Sequence, residues 1–167
     1  MIAQKTMRGI FFLSTVLAFS VPVALASISF NGNLIGLANA LRVAPGLDAF
    51  AAESRFPVAT ALGLGLAALL SLITACLFIW ADYDRTRILT MAGTLSRSQK
   101  VLYGTTAVLV AVLPWLAHPT GGPHQFSYAL FQLVANHPTA LGIFAAATYA
   151  YSTVVLIFVR CLFLNER

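Results

Sequence analysis

Hydrophobic and polar positions alternate in long blocks rather than at short period. Four extended apolar stretches, at about residues 9–30, 57–81, 101–117 and 139–159, are separated by mixed or polar segments. The second is the most emphatic: after Phe56, twenty-five residues pass without a charge. A membrane-crossing helix needs about 20 mostly apolar residues, so this stretch is expected to be the central span. Within it small residues recur at every fourth position, as Ala59, Gly63, Ala67, Ser71 and Ala75. At 3.6 residues per turn they form one slowly winding stripe. Burying leucine drives no helix association in lipid, whereas small residues allow backbones to approach and pack. The stripe is therefore a candidate helix-packing seam. The last stretch carries a smaller version in Gly142, Ala146 and Ala150, which makes it the expected partner of the central one.

The first stretch admits two readings. Lys5 and Arg8 precede it, Pro22 interrupts it, and Ala24-Leu25-Ala26 stands before Ser27. One reading is a retained helix kinked where proline removes a backbone hydrogen bond. The other is a signal peptide cut after Ala26. Residues 31–56 follow as a segment of no net charge, Arg42 and Arg55 balancing Asp48 and Glu53. Leu34, Leu37, Ala38 and Leu41 recur there at helical spacing, the pattern of a short helix lying in the interface. Pro45-Gly46 reads as its breaker, with a second short piece over residues 47–54.

Residues 82–100 form the longest polar stretch. Ser96 and Gln99 fit a capping box that opens the next helix. The third apolar stretch is only seventeen residues long and can borrow length by letting Gln99 and Lys100 snorkel. In residues 118–138, Phe126, Leu130, Leu133 and Val134 suggest a second interfacial helix over 125–136. The expected fold is thus all-α: a polytopic helical membrane protein forming a single bundle. It has four transmembrane helices, or three if the N-terminal segment is cleaved, and short interfacial helices in the external loops.

Composition agrees with this class. The 167 residues are 59% hydrophobic and 9% charged, against about 25% charged in a soluble domain. The net charge of +5 does not point to nucleic acid, because the basic residues flank apolar spans and form no dense patch with interleaved aromatics. Their distribution orients the chain instead. Lys5, Arg8, Arg85, Arg87, Arg97, Lys100, Arg160 and Arg167 fall on one side, and only Arg42 and Arg55 on the other. The positive-inside rule places the first group in the cytoplasm. Segments 1–8, 82–100 and 160–167 are then cytoplasmic, segments 31–56 and 118–138 external, and both termini cytoplasmic in a plasma or inner membrane. Cys76 and Cys161 lie near span ends on that side, where thiols stay reduced, and both read as small buried hydrophobes.

Candidate chemistry is sparse. His118, His124 and His137 share the external face, a candidate ligand or pH site, but their spacing matches no compact metal motif. Arg85, Arg87, Arg97 and Lys100 are candidate docking or lipid-headgroup contacts, since basic residues near the inner leaflet attract anionic lipid. No ionisable residue lies at the centre of a span, which argues against a pump or proton-coupled carrier. No GxSxG, HExxH or P-loop occurs, and no cofactor is implied. The expected function is that of a non-catalytic integral membrane subunit, not an enzyme. Its expected partners are the lipid bilayer and other membrane chains or further copies of itself. The alternatives are a small homo-oligomeric channel or transporter, lined by Thr60, Ser71, Thr74, Thr105, Thr106 or Ser152, and an immunity- or exclusion-type membrane protein.

Overall fold

The computed structural model describes residues 2–28, 32–42, 45–78, 81–82, 93–116 and 126–163. In chain order these form β1 (Ile2–Ala3), α1 (Gln4–Leu25), α2 (Gly32–Leu41), α3 (Pro45–Glu53), α4 (Pro57–Phe78), β2 (Ala81–Asp82), α5 (Arg97–Leu116), α6 (Phe126–Asn136) and α7 (Pro138–Phe163). The architecture is helical. Its two strands are two residues each and pair in parallel, Ile2 with Ala81 and Ala3 with Asp82. Among the described residues three helices are long and apolar enough to cross a membrane: Lys5–Leu25, Pro57–Phe78 and Pro138–Leu162. α5 is comparable at 20 residues but begins with Arg97 and Lys100 in its first turn. Its Ser96–Gln99 capping box forms, with Gln99 N–H on Ser96 Oγ at 3.3 Å and Ser96 N–H on Gln99 Oε1 at 2.9 Å.

The core is the three-helix contact of α1, α4 and α7. α1 offers Met7, Ser14, Ala18 and Pro22 as its buried face, with half-buried Phe11 on the turn between the first two. Phe12, Leu13, Val16 and Leu17 lie outward. The seam is set by missing side chains. A Cβ on Gly63 would stand 2.5 Å from Pro22 Cβ, and one on Gly142 would stand 2.7 Å from the Phe19 carbonyl oxygen. The β1–β2 pair brings the start of α1 beside the end of α4, so α1 runs antiparallel to α4 and α7. Ala18, Leu64, Ala67, Ala145 and Tyr149 share one cluster at mid-height.

The short helices depart from the expected flat lie. α2 runs down along α4: Ala38 clusters with Ala61 and Leu62, and Leu41 fills the space over Gly65. α3 then climbs back antiparallel to α4. Leu47 joins the cluster of Leu64 and Ala67, Ala51 that of Ala61 and Leu62, and Ser54 hydrogen-bonds Thr60. The two form a hairpin whose arms pack on α4 rather than on each other, with Leu41 near the inward end of one and Leu47 near that of the other. Pro45 does not end a helix. It is the first residue of α3, the position where its fixed φ and missing N–H are tolerated best. α6 also differs in rotation. Among its described side chains Phe131, Val134 and Ala135 are buried and Leu133 is exposed, while the side chains of Phe126 and Leu130 lie outside those described. The edge-on contact of Phe131 with Phe50, ring centroids 4.6 Å apart, turns that face inward.

The glycine seam makes a stability prediction. Gly63→Val has no room against Pro22 and is expected to destabilise by about 1–3 kcal/mol, the usual cost of overpacking. Gly36→Ala meets nothing within 4 Å and, inside a helix, is expected to be neutral or stabilising by up to about 1 kcal/mol. Thermal unfolding of both purified variants in the same detergent checks the contrast.

Candidate functional site

Two polar constellations stand out against the apolar bundle. The first is a set of buried hydroxyls that tie helices together. α4 places Thr74 and α7 places Tyr149 so that their hydroxyls meet at 3.1 Å. Tyr149 is fully buried, and the Phe11 ring of α1 lies 5.5 Å from its own. At the other end of α4, buried Ser54 is a three-way junction. Its Oγ donates to the Ala135 carbonyl at 3.1 Å and accepts from Thr60 Oγ1 at 2.8 Å and from Phe56 N–H at 3.0 Å. Arg55 N–H donates to the same Ala135 carbonyl at 3.0 Å, so the α3–α4 corner is pinned to α6. On α7, Ser152 Oγ and Thr153 Oγ1 are buried with no hydrogen-bond partner among the described residues. Thr148, one turn earlier, satisfies itself on the Phe144 carbonyl at 2.8 Å.

The second constellation lies at the inward ends of α2 and α3. Arg42 Nε donates to Asp48 Oδ1 at 2.8 Å. Arg42 directly follows the last residue of α2, and Asp48 lies in the first turn of α3. Each charge therefore sits at the helix end whose macrodipole favours it, the cation at a C-terminus and the carboxylate at an N-terminus. The side chains keep 29% and 55% of their surface exposed, although Ala38, Leu47, Ala49 and Ala51 bury the hairpin's other face. Leu41, next to Arg42, contacts Gly65, eight residues beyond Pro57 and so about 12 Å along α4. Charge balance over the segment was visible in the sequence; this descent was not.

The small-residue stripe is taken up within the chain. Ala59, Gly63, Ala67 and Ser71 are buried and Ala75 is half-buried. Gly142 is buried against α1, with Ala146 and Ala150 partly buried beside the mid-height cluster. Three of the hydroxyls proposed as a pore lining are engaged in hydrogen bonds within the chain. Thr60 and Thr74 are occupied at opposite ends of α4, Ser71 donates to the Ala68 carbonyl, and Thr105 and Thr106 are exposed on α5.

Of the histidines, His137 is exposed at the α6–α7 junction, while His118 and His124 lie outside the described residues. Among the described residues no three His, Cys, Asp or Glu side chains come together as metal ligands. Arg85 and Arg87 also lie outside the described residues. Arg97 is exposed and, with Ser98, Val101, Leu102 and Thr105, lines an open groove of about 690 Å³. Lys100 is instead buried, at 8% exposed. Cys161 is buried, but Cys76 is exposed on α4, contrary to its reading as a core thiol. Compared with known proteins, the chain matches no family, no curated protein and no solved structure.

The hydroxyl ties are separable by mutation. Thr74→Val and Tyr149→Phe each remove one partner of a buried bond, and a double-mutant cycle in detergent is expected to give a coupling of about 0.5–1.5 kcal/mol. Ser54→Ala loses three bonds at once and is expected to cost more than either, about 2–3 kcal/mol, by the same unfolding measurement.

Proposed function

We propose that the chain is a non-catalytic integral membrane protein, with α1, α4, α5 and α7 as four spans, that works as a component of a larger membrane assembly. The observation that carries this reading is the Arg42–Asp48 pair. α4 is 22 residues, about 33 Å long, close to the roughly 30 Å of a hydrocarbon core. With α4 across the bilayer, Leu41 at the level of Gly65 and the adjoining Arg42 lie close to the midplane. A charged side chain there costs about 2.5–3.5 kcal/mol on insertion scales. Arg42 and Asp48 lie on the flank of the bundle, half-open, so a lone chain in lipid would hold both against hydrocarbon. An assembly that covers or hydrates that flank removes the conflict.

The same frame supports keeping α1 as a span, because cleavage after Ala26 would remove the helix that fills Gly63 and Gly142. It also supports cytoplasmic termini: Lys5, Arg8 and Arg160 lie toward the end of the bundle opposite Arg55. The buried hydroxyls act as ties between helices, which fits a structural rather than a catalytic role.

A second reading, a homo-oligomeric channel or transporter, is favoured by one observation. Two short helices meet end to end at mid-depth, and such broken helices build ion and substrate sites in transporters.

Native mass in mild detergent after gentle extraction decides between them. A species containing this 17.8 kDa chain with unrelated chains is the expected result. A discrete homo-oligomer puts the channel reading first, and a stable lone monomer overturns assembly altogether.

A further inference from the structure

We propose that the Arg42–Asp48 pair forms the floor of a water-filled vestibule that enters the membrane from the side of α3 and α6. The proposal rests on the reading that the chain spans a membrane.

Three observations carry it. First, the pair is open: Asp48 keeps 55% and Arg42 29% of its side-chain surface, although the hairpin is packed on its other face. Second, the pair is already complete. Arg42 and Asp48 neutralise one another at 2.8 Å, and each sits at the helix end that suits its charge. A dry protein partner would strip water from both ions and find no unpaired charge to complement, whereas water leaves their solvation intact. Third, the path upward is open and small or polar. Asn39 lies one turn above Arg42 on α2, and Ala52 one turn above Asp48 on α3; both are exposed. Glu53, also exposed, ends α3 at the mouth. Gly36 and Ala40 of α2 are exposed as well, while its larger exposed residues Leu34, Ile35 and Leu37 suit lipid. A vestibule of this kind admits small hydrophilic ions to the middle of the bilayer and stops them at a neutralised floor.

The test is thiol accessibility of the full-length chain in sealed native vesicles whose α3–α6 side faces the bath, with Cys76 and Cys161 replaced by alanine. Single cysteines are placed by Asp48→Cys, Asn39→Cys and Leu17→Cys. Asn39→Cys leaves the ion pair intact and covers the case in which Asp48→Cys does not fold. Leu17 is apolar and 40% exposed, beside Ala18 at the height of the mid-bundle cluster, so it reports lipid at similar depth. The probe is a membrane-impermeant cationic methanethiosulfonate. The expected result is modification of the 48 and 39 positions at least ten-fold faster than position 17. Equal, slow reaction at all three positions overturns the vestibule in favour of lipid or a dry partner. Fast reaction at all three, with release of the protein by alkaline carbonate, overturns the membrane reading beneath it instead.

Discussion

Two glycines on α4 let its backbone be approached from opposite sides, and the rest of the structure follows from those approaches. Gly63 receives Pro22 of α1, and Gly65 receives Leu41 of α2. Two positions apart on a helix are about 200° apart around it, so α4 is gripped between the N-terminal helix and the hairpin. The contact at Gly63 has no room for a side chain against the rigid Pro22 ring, whereas at Gly65 the tip of Leu41 would have to move. Gly142 repeats the device on α7, where α1 comes close enough for a Cβ to meet the Phe19 carbonyl. Packing of this kind suits a lipid environment, in which close van der Waals contact takes over the part that hydrophobic burial plays in water. It also explains why the small-residue stripe is not left free for another chain: its members are consumed by α1, the hairpin and α7.

Polar groups divide into two populations with different physical roles. Hydroxyls such as Ser54, Thr60, Thr74 and Tyr149 are buried and hydrogen-bonded to one another or to backbone. They fix the register between helices at the two ends of α4. The Arg42–Asp48 pair is different, because it is charged, half-exposed and positioned by the descent of the hairpin. A tie between helices need not face outward. A pair of ions that does face outward at that depth implies surroundings other than hydrocarbon, which is why function is argued from this flank rather than from the core.

This changes the weight of an absence. The three helices apolar enough to cross a membrane carry no central ionisable residue, and that pattern argues against coupled proton or ion movement along a single helix. The hairpin supplies two ionisable residues at mid-height without placing them on a span at all. The argument from empty spans therefore applies to α1, α4 and α7, and not to the segment wedged between them.

What the sequence determined is what depends on local pattern. Apolar length set the long helices, i, i+4 spacing set the stripe, and Ser96 with Gln99 set the start of α5, because helix period, bilayer thickness and capping are properties of contiguous residues. What only the tertiary structure decided is the direction and rotation of the short helices. α2 carries apolar residues on most of its circumference, with Leu34, Ile35, Leu37 and Leu41 all present, so its pattern suits lying flat or standing against a neighbour equally well. The choice came from Gly65, which left a hollow on α4 for Leu41. Likewise Leu133 and Phe131 compete for the inner face of α6, and the Phe50 ring with the Ala135 carbonyl settled it. Those partners are distant in the chain, and complementarity between distant surfaces leaves no period for a linear reading to find.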